Sequence, residues 1–538
     1  MADIAADVII VGSGVAGALL AARLAEAGVK VAILEAGARV DRAEATQRFW
    51  DAAIKVPECP YPPSPQADHP VSNDPDYWYR QLGPDKFKST YLKVMGGTTW
   101  HWLGTCLRYV PNDFRLSTLY GRGVDWPISY DDLEPFYAQA EDEIGVAGEG
   151  NEALGSPRST GYPMAPIPQT FLDQVYARAL AGTQYEVRAT PQGRNSLDRD
   201  GRPACCGNAS CIPVCPIQAK YDATVHLARA EKRGAAIHVQ TTATMVEIGA
   251  EERVTGIRFK RWDGSTGTAS GKVFVLAAHA IEIPRLLLNS RRPARPKGVA
   301  NSSDQVGRNL MDHPAQLSWA LAPTPVWPYR GPLSTSGIEN LRDGEFRKAR
   351  AAFRIEIGND GWSWPTGAPT STADELARRG LRGRGLNEAL RTQASRHIRL
   401  ASLMEQLPDP QNRVTLDAHE RDVYGVPRPC IAYRLDSYVQ AGLSAARDAH
   451  AAIFRRLGAT DVQHRHVAEG AGHIIGTARM GSDPQSSVVD RDLRSHDHPN
   501  LFILGSAVFP SSATANPTLT IAALSLRAAD PVKATLVR

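Results

Sequence analysis

A chain of 538 residues, 43% hydrophobic and 22% charged, can bury a large core and divide into two or three structural units. A formal net charge of +4, spread along the chain, leaves no electrostatic footprint for nucleic acid, and no apolar run approaches the roughly 18 residues of a membrane helix. Seven cysteines are too few to build a disulfide scaffold, and three of them, Cys59, Cys106 and Cys430, stand singly, as small buried hydrophobes do.

The opening "MADIAADVIIVGSG" runs almost at once into a strand, so no export signal is expected from it. Asp7–Val11 is short, apolar and β-branched, the pattern of a strand buried on both faces. Gly12, Gly14 and Gly17 follow as G-x-G-x-x-G, and Ala18, Leu19, Ala22, Leu24 and Ala25 then recur at helical spacing until Gly28. A second strand, Val31–Leu34, ends in Glu35, eighteen residues after Gly17. In this setting the first glycine permits a tight turn, the second admits a pyrophosphate, and the third lets helix pack on strand. The helix N-terminus favours the phosphates and Glu35 can accept hydrogen bonds from a ribose. An acid at that position disfavours a 2′-phosphate, which leaves FAD or NAD.

Further along, "SYDDLEPFYAQAEDEIG" predicts a helix capped by Ser129, with Asp132 completing a capping box and Leu133, Phe136, Tyr137 and Ala140 on one face. The run "CCGNASCIPVCP" then places four cysteines within eleven residues. Cys205, Cys211 and Cys215 are spaced C-x5-C-x3-C and followed by Pro216, an ending shared with ferredoxin cluster loops. Cys206 adjoins Cys205, so the two side chains diverge, and three thiolates suit a [3Fe–4S] centre better than four suit [4Fe–4S]. A zinc site, for which the x5 gap is a poor match, and disulfides are the alternatives. The arginine-rich Leu376–His397 reads as a solvated, partly helical surface.

Four more stretches carry a resemblance. "KVMGGTTWHW" (Lys93–Trp102), "VFVLAAHAIEIPRLLLNS" (Val273–Ser290), "VGRNLMDHP" (Val306–Pro314) and Pro499–Asp530, in that order after the N-terminal block, resemble the glucose–methanol–choline oxidoreductases. The resemblance implies an α/β fold, α+β overall, with a Rossmann-like FAD-binding domain and a discontinuous substrate-binding domain containing an antiparallel sheet. It divides the chain into residues 1–115, 205–314 and 465–538 around FAD, and 116–204 and 315–464 around the substrate. Besides the N-terminal glycines and Glu35, it implies cofactor contacts from Gly96, Gly97, Thr98, His101, Val246, Gly505, Ser506 and Thr518. His473 and Asn516 fall on the family's catalytic pair. A neutral imidazole suits removal of a hydroxyl proton, and an amide can orient the hydroxyl without competing for that proton. His101 matches the position where some members join histidine to the flavin; an unattached histidine is the alternative. His279 and Gly505 depart from the pattern, which has glycine and commonly an acid there.

Within that family, Arg194–Ala223, Tyr109–Phe114, Asp125–Tyr137, Gly298–Pro314 and Ser487–Phe502 resemble the large subunits of membrane-bound bacterial sugar, polyol and sugar-acid dehydrogenases. The narrower resemblance implies that Cys205, Cys211 and Cys215 hold a [3Fe–4S] cluster. It also implies a small partner subunit bearing a twin-arginine signal, a multihaem cytochrome c subunit feeding quinone, and residence on the periplasmic face of the inner membrane through those partners. The expected activity is oxidation of a sugar or polyol alcohol. A sugar-acid dehydrogenase of the same architecture, or an oxidase whose cysteine loop is structural, are the alternatives.

Overall fold

The computed structural model describes residues 3–52, 59–66, 78–361 and 370–537. Of the stretch 361–367, grouped above with the substrate region, all but Gly361 lies outside the described residues.

The β-branched strand at the N-terminus spans Val8–Val11, every residue buried, and forms the centre of a five-stranded parallel sheet. Its neighbours are Val31–Leu34 and then Ala236–His238 on one side, and Val273–Leu276 and then Leu501–Ile503 on the other. Parallel strands need crossovers, and helix Val15–Glu26 is the first of them, buried along most of its length. Strands from three widely separated parts of the sequence therefore share one sheet, which brings residues near 12, 277 and 505 to the same strand ends.

A second sheet is antiparallel and six-stranded, in the order Thr460–His464, Ala315–Leu321, His397–Met404, Phe353–Gly358, Ser336–Ile338 and Val187–Ala189. Alternation decides what each face does. Phe353, Ile355, Ile357, Ile398, Leu400 and Met404 point into a core completed by helix Ser437–Leu457. Arg354, Glu356, Arg399, Ala401 and Leu403 take the intervening positions and so face the other way.

The hairpin Arg413–Arg421/Pro427–Ala432 comes from the stretch grouped with the substrate region, yet it pairs with Arg80–Gln81 and packs on helix His279–Asn289. The helix anticipated near residue 130 spans Tyr130–Ile144. Ser129 Oγ accepts from Asp132 N at 3.1 Å, and Asp132 Oδ2 accepts from Ser129 N at 2.9 Å. The arginine-rich segment forms helices Thr370–Arg378 and Gly383–Ala394, with Arg378, Arg379, Arg382, Arg384 and Arg391 exposed. Among the described residues, no helix is long and apolar enough to cross a membrane.

Candidate active site

A cavity of about 1140 Å³ runs from the first glycine turn, between the two sheets, to His473 and Asn516. At the turn the three glycines do different things. Gly12 has φ +99°, and a Cβ there would meet Ala277 O at 2.6 Å. A Cβ on Gly17 would meet Gly12 O at 2.1 Å, so this glycine serves helix–strand packing. A Cβ on Gly14 would meet nothing within 4 Å, and this glycine leaves the uncapped helix N-terminus open to the cavity.

Glu35 is buried and its oxygens accept from Ser13 N (3.0 Å), Ser13 Oγ (2.5 Å) and Gly37 N (2.8 Å). Burial pushes its pKa up while those donors oppose the shift. Ser13 Oγ also accepts from Gly96 N at 3.0 Å, tying the second glycine loop over the first. Gly97, at φ +56°, lies against Gly14, and Gly97, Thr98 and His101 line the cavity; Gly96 supports them from behind. Gly505, Ser506 and Thr518 line it as well, and Gly505 has φ +97° with open space where a side chain would stand. Val246 is the exception. It is buried away from the cavity, its amide donating to Ser290 Oγ at 2.8 Å, while Thr241, Thr242 and Ala243 of the same strand reach the wall.

His279, the departure from glycine, adopts φ +55°, the left-handed backbone that explains why glycine is usual there. Its ring lies 4.1 Å from that of Tyr91, and burial lowers its pKa to about 4.

At the far end His473 sits in a chain of defined proton positions. His313 Nε2 lies 3.1 Å from both Ser512 O and Ala513 O. Carbonyls only accept, so the single proton of a neutral His313 is on Nε2; burial lowers this residue's pKa to about 4, which keeps it neutral. His313 Nδ1 is then a bare acceptor, and His473 Nδ1, 2.9 Å away, donates to it. The lone pair of His473 is thereby left on Nε2. The other side agrees: Arg354 Nη1 donates to Asn516 Oδ1 at 3.3 Å, turning the amide so that Nδ2 donates to His473 Nε2 at 3.3 Å. Burial, then His313 and Arg354, hold the His473 pKa well below the ordinary histidine value. Asp312 anchors both backbones, accepting from His473 N (3.0 Å) and His313 N (2.7 Å), and burial raises its own pKa to about 7. This arrangement can accept a proton at Nε2 and hold a hydroxyl between two polar side chains. His464, His496 and His498 instead bond Ser318, Ser487 and the Glu252 carbonyl, outside the cavity.

The cysteine loop forms part of the same wall through Asn208, Ala209, Ser210, Ile212, Pro213, Val214 and Pro216. The four loop cysteines, Cys205, Cys206, Cys211 and Cys215, are free thiols. Cys206 is exposed, Cys211 is buried, and Cys205 and Cys215 are half-buried. Burial raises the Cys205 pKa and Arg194 opposes it, with Cys211 and Cys215 close enough to add to the rise. Three cations hold the loop. Arg194 Nη2 donates to Cys211 Sγ at 3.1 Å, Arg42 Nη1 to Cys215 O at 2.9 Å, and Lys220 Nζ to Cys211 O at 2.7 Å. Lys220 Nζ also donates to Trp100 O (2.9 Å) and Trp102 O (2.5 Å), the carbonyls flanking His101.

The residues present fit both expected groups. For FAD, the open face of Gly14, the vacant side-chain space at Gly505 and the buried His101 Nε2, without a partner among the described residues, all border one long cavity. For a cluster, three thiols at the spacing noted above are backed by buried cations that offset thiolate charge, and Arg194 Nη1 is buried without a partner among the described residues.

Sequence reasoning reached His473, Asn516 and the glycine loops. It did not single out His313 and Asp312, although both lie in the quoted "VGRNLMDHP", nor Arg194 and Lys220 beside the cysteines. Arg354, Glu356 and Arg399 were missed altogether; the alternation in "FRIEIG" was the available signal.

A dinucleotide-binding parallel sheet, a second antiparallel sheet closing over it, and a histidine–asparagine pair at the junction define an oxidoreductase of the flavin-dependent class. The GMC oxidoreductase family models match residues 6–315 and 408–525, and the chain belongs to that family. It is 38% identical to the fructose dehydrogenase large subunit of Gluconobacter japonicus, over 98% of both chains. It is 23% identical to the gluconate 2-dehydrogenase flavoprotein of Pantoea cypripedii, over 98% of this chain and 93% of that one. Among solved structures, pyridoxine 4-oxidase from "Mesorbium loti" superposes with a TM-score of 0.65 at 20% identity over 98% of both chains, a likeness of fold.

Proposed function

We propose that this chain is the catalytic large subunit of a dehydrogenase oxidising an alcohol group of a sugar or polyol. The observation that carries this reading is the single cavity whose walls include the dinucleotide turn, the His473–Asn516 pair and the cysteine loop. FAD, held by the Gly12–Gly17 turn, Glu35, the Gly96–Thr98 loop, Gly505, Ser506 and Thr518, supplies a two-electron acceptor for the hydride of a carbinol carbon. His473 Nε2 takes the hydroxyl proton, and its Nδ1–H, held by His313, keeps that lone pair aimed at the cavity. Asn516, turned by Arg354, orients the hydroxyl. His101 Nε2, buried without a partner among the described residues, would be the attachment point for the flavin.

Cys205, Cys211 and Cys215 hold a [3Fe–4S] cluster, which supplies one-electron transfer to a multihaem cytochrome c subunit and so to quinone. A small subunit with a twin-arginine signal carries the loaded chain to the periplasmic face of the inner membrane. Likeness to the named large subunit and flavoprotein supports partner subunits, and the cation-backed thiols support the cluster.

The test is an anaerobic panel of sugars, polyols and sugar acids, watching flavin bleaching in the holoenzyme. A neutral sugar or polyol should bleach it fully within the first turnover, and subsequent cytochrome c reduction should require the cluster. Rapid reoxidation by oxygen with an iron-free cysteine loop would return the protein to the oxidases.

A further inference from the structure

The cavity wall formed by the antiparallel sheet holds a carboxylate whose only contacts among the described residues are two long ion pairs. Strand Phe353–Gly358 turns Glu356 to the cavity, where it is only 5% exposed. Among the described residues no hydrogen bond ends on it; its nearest cations are Arg354 Nη1 at 3.6 Å and Arg399 Nη2 at 3.7 Å. Both guanidiniums are committed elsewhere. Arg354 donates to both oxygens of Glu339 at 3.0–3.2 Å, and Arg399 Nε donates to Asp360 Oδ1 at 2.8 Å.

The sheet is built to accommodate this array. Gly337 and Gly358 occupy the same face, and a Cβ on them would stand 2.9 Å from Arg354 Nη2 and 2.4 Å from Arg399 Nη2. Small residues at these two sites let the guanidiniums cross the sheet surface and flank Glu356. Arg354 Nη1 is shared, 3.3 Å from Asn516 Oδ1 and 3.6 Å from Glu356 Oε2, so the carboxylate stands within the length of a short carbon chain from Asn516.

A buried carboxylate has only acceptor capacity, and leaving it without donors is costly. Among the described residues the cavity wall beside Glu356 carries Asp360 and Arg399, with Arg354 behind it; Arg399 already serves Asp360 and Arg354 serves Glu339. An incoming carboxylate would add a third acid, whereas a hydroxyl brings the missing donor. Resting on the dehydrogenase reading above, we propose that Glu356 is a specificity-determining residue. It accepts a hydrogen bond from a second hydroxyl of the substrate while His473 and Asn516 hold the reacting one. The substrate is thus a neutral polyhydroxylated molecule, neither a simple alcohol nor a sugar acid.

The experiment uses the FAD-loaded enzyme and anaerobic flavin bleaching with three sets of compounds: the best neutral sugar or polyol, its monodeoxy analogues, and the matching sugar acid. In the wild type one deoxy analogue should lose about tenfold or more in kcat/KM, mainly through KM, because the unmatched acceptor stays buried. Glu356→Gln should bring the parent compound down to that analogue's level while changing the analogue itself less than about twofold; a merely structural defect would lower both. The sugar acid should be at least about tenfold poorer than its neutral parent in the wild type, and the gap should narrow in the variant. Equal turnover of acid and parent, an unchanged KM in Glu356→Gln, or the lack of any sensitive deoxy analogue would each overturn the proposal. The last measurement needs no variant and so holds even if Glu356→Gln loses FAD. Those results leave the dehydrogenase reading standing; only a wild type bleached by no neutral sugar or polyol removes both.

Discussion

His313 Nδ1 and His473 Nδ1 face each other at 2.9 Å, and the proton between them belongs to His473, because two carbonyls claim the only other position on His313. A residue that touches neither cavity nor substrate thereby decides which nitrogen of His473 is basic. His473→Ala should lower flavin reduction about 10²- to 10⁴-fold with FAD still bound. His313→Gln should cause a smaller loss, also without loss of FAD. Stopped-flow bleaching together with the bound-flavin spectrum checks both, and a normal rate in His473→Ala would rule out the base.

Two glycines of one motif should behave differently. Gly17→Ala drives a Cβ into Gly12 O and should impair folding, seen as lost soluble yield or a lower Tm. Gly14→Ala meets no atom of the protein, so the apoprotein's Tm should hold while FAD retention falls. Thermal melts of apoprotein and holoprotein separate the two effects.

Cys205→Ser, Cys211→Ser and Cys215→Ser should each remove iron and acid-labile sulfide and abolish cytochrome c reduction, while substrate still bleaches the flavin. Cys206→Ser should be far milder, its thiol being exposed and outside the set held by Arg194 and Lys220. Equal loss in all four variants would indicate a four-cysteine site.

Acid precipitation should leave flavin on the wild-type polypeptide and release it from His101→Ala. Among the described residues Nε2 has no partner and would be the nucleophile for such a link, and burial lowers the His101 pKa to about 3, keeping the ring neutral.

Stability should fall on mild acidification. His313 and His450, fully buried, have pKa values lowered to about 4 and about 3, below the unfolded 6.5. Their contribution is complete above pH 6.5 and is lost as the pH drops toward the folded values, roughly 3 kcal/mol for His313 and roughly 5 kcal/mol for His450. Asp312, raised to about 7 by burial, works oppositely: its folded form takes up a proton as pH falls below 7, which relieves part of the loss. The histidines outnumber it, so Tm should decline between pH 6.5 and 4. His450→Gln, replacing a ring held by Ser318 and Ser402, should start lower and decline less.

The sequence by itself determined the parts whose chemistry is local. A glycine turn, its strand and helix, Glu35, the capping box at Ser129 and the spacing of three cysteines all act over short stretches of chain, so their residue order carries their meaning. The pairing of His473 with Asn516 was legible only through resemblance, since 43 positions separate them. Tertiary structure alone decided which nitrogen of His473 is free, because the answer depends on carbonyls at 512 and 513 acting through His313. It also decided that Val246 faces away from the cavity while Thr241–Ala243 reach it, a matter of where one strand meets the wall. Above all it assembled Arg354, Glu356 and Arg399 on one sheet face. Strand register sets that array, and register follows from which residues of distant strands pack together, information that no single strand contains.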